Sequence, residues 1–242
     1  MYIMKNLFLV ITLLFSQYSF SQTVEINKKE LLNIVKNHKQ DLDTVQQLLL
    51  VINDSDASNK AFLVALEKRN KKWKIKFQPM MASIGRNGFA LPGEKVEGDG
   101  KSPTGVFALG QLFSYENKVN TSLPFIQTAG DDKWIDDTNH VDYNKYIKGN
   151  TTATSFEHLH LSGIYYKYCM VIEYNTNPVI KGKGSAIFFH VADANYKPTA
   201  GCVAIKETDM NKILSWLKPN FGKAILMGNK NNLKAAHLHD GI

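Results

Sequence analysis

The 242-residue sequence has only two cysteines and no uninterrupted apolar run of the length a membrane span needs. A transmembrane helix requires about 20 apolar residues, and the run from Leu7 to Phe15 is roughly half that length. Lys5 precedes this run, and the small residues Ser19 and Ser21 follow it before Gln22, which is the arrangement of a cleavable export signal. We therefore predict a signal peptide at residues 1–21 and a protein exported to the periplasm or cell envelope, which contacts a membrane only if the signal stays uncleaved.

The sequence also lacks repeats and low-complexity stretches, and its charged fraction of 21% is ordinary. With 44% apolar residues, the chain can bury one main core and is expected to be globular. The net charge of +7 suits anionic partners, but the basic residues are scattered, and an exported protein seldom meets nucleic acid. We expect no nucleic-acid partner. The basic cluster at Lys68–Lys72 is predicted to be a solvated hairpin turn.

Hydrophobic spacing predicts a mainly β protein with flanking helices, an α+β fold. One helix is expected at Lys28–Leu42 and another at Glu207–Leu217. The predicted strands are Leu48–Ile52, Phe62–Leu66, Trp73–Phe77, Met80–Ile84, Cys169–Tyr174 (continuing an apolar run from Tyr165), Ser185–His190 and Lys223–Met227. The expected organisation is a helical segment at 22–45, a catalytic domain at 46–228 and a tail at 229–242.

Two loop regions stand out between these elements. Residues 85–107 are rich in glycine, but no helix follows the glycines as a phosphate-binding loop requires, so a turn or cleft rim is predicted. The polar and aromatic segment Leu112–Thr154 is long enough to be an insertion or lid. Its residues Asp136, Asp137, His140 and Asp142 lack the spacing of a metal-ligand set.

The two cysteines lie in different surroundings. Cys169 is in an apolar, strand-like run, where a thiol behaves as a small hydrophobe, whereas Cys202 follows the turn-forming Gly201. A disulfide between them is the alternative. His190 ends an apolar strand twelve residues before Cys202, and an imidazole close to a thiol can generate the nucleophilic thiolate. By spacing alone, catalysis and an unrelated core thiol with a surface histidine are both open.

Several separated motifs, in order, resemble one family. His190 followed by Thr199-Ala200-Gly201-Cys202-Val203 is similar to the signature of the L,D-transpeptidase catalytic domain, or YkuD domain. One branch of that family also resembles the chain at Gly98–Phe107, Trp134–Asp137, Ser155–Leu159 and Gly184–His190, so the likeness extends roughly from Gln46 to Met227.

The resemblance implies an L,D-transpeptidase-like β-sandwich or barrel that acts on peptidoglycan stem peptides without a metal or cofactor. Cys202 would be the nucleophile and His190 the general base and later acid, with the backbone at Gly201 and Val203 as the oxyanion site. Thr199, His158 and Lys101 are candidate substrate-binding residues. If Glu157–Leu161 is a strand, His158 and His160 face the same side and either could line the cleft.

The chain departs from the usual motif at Ala204, where the family has arginine two residues after the cysteine. Arg86, Lys101 and Lys206 are the candidates for a substitute positive charge. Three functions follow: an L,D-transpeptidase that forms or exchanges stem links, an L,D-carboxypeptidase or amide hydrolase acting on stems or stem-attached protein, and a non-enzymatic wall-binding module.

Overall fold

The computed structural model describes residues 27–55, 58–161 and 163–235, so the predicted signal peptide lies outside the described residues. Strands dominate, with helices on the outside, and the predicted α+β class is confirmed. The elements are α1 (Lys28–Asn37), β1 (Val45–Asn53), β2 (Lys60–Arg69), β3 (Lys72–Ile75), β4 (Met80–Ser83), β5 (Gly105–Ser114), β6 (Phe125–Gln127), β7 (Asp132–Ile135), β8 (Tyr146–Lys148), β9 (Phe156–His158), β10 (Cys169–Ile172), β11 (Phe188–Val191), β12 (Val203–Ile205), α2 (Glu207–Trp216), β13 (Gly222–Asn229) and α3 (Lys230–Ala235).

The main sheet closes into a barrel. Its order is β1-β13-β5-β10-β11-β12-β4-β2, and β2 pairs back with β1, while β3 and β6 add to β2 and β5. Closure leaves no unpaired edge in this ring, which removes a site for unwanted strand addition. Strands β8, β7 and β9 form a separate three-stranded sheet, in that order, that shares no strand pairing with the barrel.

Strand β1 is buried on both faces, and its alternating residues belong to different cores. Leu49 and Val51 join the cluster that also contains α2, whereas Leu48 and Leu50 pack with Leu31 of α1. Side chains alternate between the faces of a strand, so this one apolar run supports two layers. The N-terminal helix therefore packs directly on the barrel, with Leu31, Ile34 and Val35 buried as its spacing predicts.

The basic cluster forms the predicted hairpin turn between β2 and β3. Asn70 and Lys71 both have positive φ, 51° and 62°, as a two-residue hairpin turn of the primed type requires. Leu66 pairs with Ile75 and Arg69 with Lys72, so the register runs to the tip of the hairpin. The positive charges lie on a turn and leave the core apolar.

Several predicted boundaries are wrong. Helix α1 ends at Asn37 rather than Leu42, because the chain turns at His38. Strand β10 begins at Cys169 as predicted, but it ends at Ile172 rather than Tyr174, and the strand-like run Tyr165–Tyr168 is turn and bend. The segment 112–154 is not one structureless insertion: it begins inside β5 and contains β6, β7 and β8. The predicted tail contains α3, whose Leu233 is fully buried.

Within the ranges that the structure describes, no helix is long and apolar enough to cross a bilayer.

Candidate active site

The strands β11 and β12 bring the predicted catalytic pair to one face of the barrel. They run parallel, with His190 opposite Ala204 and Phe189 opposite Val203. Phe189 and Val203 point into the barrel core, so the alternating residues His190, Ala204 and Cys202 lie on the opposite face. Cys202, two positions before Ala204, is therefore a diagonal neighbour of His190. The twelve-residue spacing follows from a short connection between adjacent parallel strands.

The Cys202 thiol is buried and held by backbone groups. Its Sγ lies 3.3 Å from the carbonyl oxygen of Ala186, to which the thiol donates, and 3.3 Å from the amide nitrogen of Phe188, which donates to the sulfur. Burial raises the pKa of Cys202 to about 12, against the opposing effect of the Phe188 amide. The resting side chain is therefore a protonated thiol.

The His190 ring is buried and neutral. Its Nδ1 lies 2.9 Å from the carbonyl oxygen of Val191, so Nδ1 carries the proton and Nε2 is the basic nitrogen. Burial lowers the pKa of His190 to about 4, although the carbonyls of Val191 and Tyr165 favour its protonated form. The ring of Tyr166 packs edge-on against the imidazole at a centroid distance of 5.4 Å and fixes its orientation.

Both side chains line one cavity of about 430 Å³. Its walls come from the glycine-rich loop, the small sheet, the turn before β10 and the connection between β11 and β12. This volume is within the range of small-molecule sites. No hydrogen bond joins the His190 ring to the Cys202 sulfur among the described residues, because the thiol is engaged with Ala186.

The glycine-rich loop is fastened directly to the Cys202 segment. The hydroxyl of Ser102, fully buried, donates to the carbonyl of Gly201 at 2.7 Å and accepts from the amide of Gly85 at 2.9 Å. Gly85 and Thr199 also form a parallel bridge. The loop therefore forms one wall of the site, in agreement with the prediction of a cleft rim.

The small sheet is joined to the cysteine through Asn144. Its Oδ1 accepts from the indole nitrogen of Trp134 at 2.8 Å and from the amide of Ala186 at 3.0 Å. Its Nδ2 donates to the carbonyls of Tyr174 and Asn175. Ala186 in turn accepts from the Cys202 thiol and has a left-handed φ of 52°, a conformation that costs energy in a non-glycine residue. Sequence patterns do not reveal Asn144, since its partners are far apart in the chain.

One wall of the cavity is acidic. Glu157, from β9, and Asp136, just after β7, both line it, and burial raises the pKa of each carboxyl. The charge of Asp136 raises the pKa of Glu157 further, and the charges of Glu97 and Asp137 raise that of Asp136. The Oδ1 atom of Asp136 is buried without a hydrogen-bond partner in the described ranges. The hydroxyl of Tyr166 donates to Glu157 at 3.3 Å. The motif Trp134–Asp137 therefore contributes Asp136 to the cavity.

Of the cationic side chains that line the cavity, Arg86 and Lys197 are exposed, and the buried one is a lysine that the sequence did not single out. Lys95 is only 3% exposed and lines the cavity, with its Nζ 2.8 Å from Asp99 Oδ1. Of the three expected substitutes for the missing arginine, only Arg86 reaches the cavity, at an exposed position. Lys101 and Lys206 are not among the lining residues, and Lys206 lies over the ring of Tyr196 instead.

The other predicted substrate and oxyanion residues are placed as follows. Thr199 lines the cavity, but its hydroxyl donates to the Cys202 carbonyl at 2.7 Å and accepts from the Gly201 amide at 3.1 Å. The Gly201 amide is therefore engaged in the turn and is not free for an oxyanion. The side chain of Val203 points into the barrel core.

The expectation for His158 and His160 is wrong. Strand β9 ends at His158, both histidines are exposed, and neither lines the cavity. Their neighbours Glu157 and Leu161 line it instead. The two histidines do lie on one side of this segment, but that side faces outward and not toward the cavity.

The two cysteines are free thiols, which agrees with the preferred interpretation over a disulfide. Cys169 is fully buried, pairs with His190 across β10 and β11, and packs in the same apolar cluster as Cys202. Burial raises the pKa of Cys169 well above its usual value. It is a core thiol behind the site and does not line the cavity.

Fold and site together define a class: a closed β-rich domain that presents a buried thiol and a neutral imidazole at one cavity, the groups that cysteine-dependent acyl transfer uses. A comparison with protein families matches residues 49–226 to the L,D-transpeptidase catalytic domain, YkuD. The chain belongs to this family, and the resemblance seen in its motifs is confirmed. Family members are cysteine-dependent enzymes that modify the stem peptides of peptidoglycan.

A comparison with solved structures also gave matches. The helical cell shape determining protein Pgp2 from Campylobacter jejuni is 13% identical, with a TM-score of 0.39, over 83% of this chain and 55% of its own. Bd1075 from Bdellovibrio bacteriovorus is 14% identical, with a TM-score of 0.39, over 76% of this chain and 52% of its own. The chain thus spans about half the length of these proteins. A search of curated protein sequences gave no significant match.

Proposed function

We propose that this protein is an exported peptidoglycan L,D-transpeptidase that works through an acyl-enzyme on Cys202. The observation that carries the proposal is the shared cavity, which is lined by the buried thiol of Cys202 and by the neutral imidazole of His190. The family match over residues 49–226 supports peptidoglycan stems as the substrate class.

In this reaction the Cys202 sulfur attacks the carbonyl carbon before the terminal D-amino acid of a tetrapeptide stem. The thiol proton passes to Nε2 of His190, and the imidazolium then gives it to the departing amide nitrogen. The C–N bond breaks, the terminal amino acid leaves as an amine, and a thioester remains on Cys202. A side-chain amine of a second stem attacks the thioester, which forms the cross-link and returns the thiol.

The protonation states favour this general-base route over a preformed ion pair. With a pKa of about 12 for Cys202 and about 4 for His190, both groups are neutral at pH 7. Proton transfer must accompany attack, after the thiol leaves the Ala186 carbonyl. A neutral imidazole is the form that can accept that proton.

Hydrolysis of the thioester is the second candidate, and Ala204 favours it. Ala204 lies opposite His190 in the register and packs with Ala192 and Tyr196, where the usual arginine would bring a charge. With that cation absent from the position, a charge that could orient the substrate is lost or supplied from elsewhere, and water becomes the competing acceptor. The protein would then be an L,D-carboxypeptidase.

The experiment incubates the protein with tetrapeptide-stem muropeptides and separates the products by mass spectrometry. Cross-linked dimers support transfer, and shortened tripeptide stems alone support hydrolysis. The absence of both products refutes acyl chemistry on stems and leaves the wall-binding module as the remaining function. Cys202→Ala should abolish both products. Cys169→Ala is the matched control, because it removes a thiol behind the site that does not line the cavity, and it should keep activity.

A further inference from the structure

Lys95 is a buried lysine in a cavity wall. Charged side chains are rarely buried unless they are paired, and the Lys95 side chain is 4% exposed. It comes from the glycine-rich loop, far in sequence from Cys202 and His190. A buried ammonium loses its contacts with water, so it needs hydrogen-bond partners inside the protein.

Part of that explanation is its partner Asp99. Asp99 Oδ1 lies 2.8 Å from Lys95 Nζ, and the same carboxylate accepts from the amides of Val96 and Lys101 at 3.0 and 2.8 Å. Burial opposes ionisation of Asp99, but Lys95 and these two amides hold its pKa below the usual value. Asp99 is thus a fixed carboxylate that pairs with the ammonium.

Asp99 leaves part of the ammonium unused. A lysine ammonium has three donors, and the described part of the chain offers Lys95 Nζ two acceptors, Asp99 Oδ1 and, at 3.4 Å, the carbonyl of Val96. The third donor has no acceptor there. Because Lys95 lines the cavity, this donor is available to a ligand inside it.

Lys95 lies close to the segment that carries the cysteine, and one glycine makes room for it. A Cβ on Gly201 would lie 3.6 Å from Lys95 Nζ, and a Cβ on Gly184 would lie 2.8 Å from Lys95 Cε. Gly201 immediately precedes Cys202, so the ammonium is next to the predicted nucleophile. A larger residue at Gly184 would displace the side chain.

We propose that Lys95 is the anion-binding residue of the cavity and receives the free carboxylate of the amino acid that ends the stem peptide. In such a peptide the carboxyl carbon is the second atom beyond the amide nitrogen of the bond that breaks. We expect that carboxylate to meet the ammonium near Gly201 when the preceding carbonyl meets Cys202. This substrate assignment rests on the proposed function, and it makes Lys95 a determinant of specificity for stems with a free terminal carboxylate.

Arg86 is less suited to this role. It is exposed, and its guanidinium donates to the Gly98 carbonyl at the edge of the loop. A charge in contact with bulk water discriminates weakly between a carboxylate and an amide, whereas a buried ammonium does so strongly. The cation that the usual motif places at Ala204 is thus replaced by one from the glycine-rich loop.

The test measures binding and not turnover, in a Cys202→Ala background that cannot react. The probes are a stem tetrapeptide with a free terminal carboxylate and the same peptide with a terminal amide, titrated by calorimetry. A charge-assisted hydrogen bond predicts that the carboxylate form binds about tenfold to a hundredfold more tightly. A ratio near one, or no binding of either peptide, refutes the inference before any further variant is made.

Two further proteins assign the preference to Lys95. Asp99→Asn keeps the ammonium, and Asp99→Asn with Lys95→Met removes it without leaving an unpaired buried carboxylate, so the pair differs only at residue 95. The preference should persist in the first and vanish in the second; equal preference in both refutes the inference. Lys118→Met, at an exposed lysine, is the control for net charge and should change nothing.

These results separate the inference from the proposed function. If the unmodified protein processes stems but the peptide preference does not depend on Lys95, the acyl chemistry stands and the anion site is wrong. If the preference depends on Lys95 but no stem is processed, the anion site stands and the chemistry is wrong.

Discussion

The buried neutral His190 predicts that the protein loses stability in mild acid. Its pKa is about 4 in the folded protein and about 6.5 in an unfolded chain, so below pH 6.5 the unfolded state binds a proton that the folded state refuses. The free energy of unfolding should therefore fall as the pH drops from about 6.5 to 4. The full loss is about 3 kcal/mol, and about 2 kcal/mol of it falls between pH 7 and pH 5.

Urea denaturation at pH 7, 6 and 5, followed by circular dichroism, measures this loss. His190→Gln removes the titrating group and should flatten the dependence by about 2 kcal/mol over that range, because carboxylates titrate alike in both proteins. His158→Gln, at an exposed histidine, is the matched control and should keep the original slope. An unchanged slope in His190→Gln would show that His190 is not buried in its neutral form.

Three further outcomes follow from the site. Alkylation of Cys202 by iodoacetamide should be slow at pH 7 and rise about tenfold per pH unit up to pH 10, because its thiolate forms only towards its pKa of about 12. Asn144→Ala should lower the free energy of unfolding by about 2–5 kcal/mol and reduce activity, since Trp134 and Ala186 each lose a buried acceptor. Ala204→Arg should destabilise the protein by about 1–3 kcal/mol, because a large cation must enter the cavity from a position that is 1% exposed.

Each of these three predictions has a result that would contradict it or a control variant. Fast alkylation that levels off near pH 7 would mean that Cys202 rests as a thiolate paired with His190. Asn144→Asp keeps the acceptor oxygens and should be milder than Asn144→Ala; equal loss in both would place the role of Asn144 in its backbone conformation. Ala108→Arg, at an exposed position of β5, should stay within about 0.5 kcal/mol of the unmodified protein.

Strands β1–β4, β10, β11 and β13 and the helix that forms the N-terminal cover were predictable, because their apolar residues recur at regular spacing, whereas β5–β9 and β12 were not among the predicted strands. The hairpin at Asn70 and Lys71 is an example, with two apolar runs around a short polar turn. The prediction failed where backbone geometry decides: α1 ends at Asn37, and the aromatic run before Cys169 forms a turn in which Tyr165 and Tyr166 line the cavity. Hydrophobic pattern alone does not distinguish a buried turn from a strand.

The amino-acid sequence by itself determined the class of protein, because the histidine and the Gly-Cys segment stand in order among other matching motifs. It also determined that Cys169 belongs to a core, through its apolar neighbours. Only the tertiary structure decided which charges share the cavity: Lys95, Asp136 and Glu157 enter it, while His158, Lys101 and Lys206 do not. The reason is that membership of a cavity depends on contacts between distant segments, and such contacts leave no periodic signal along the chain.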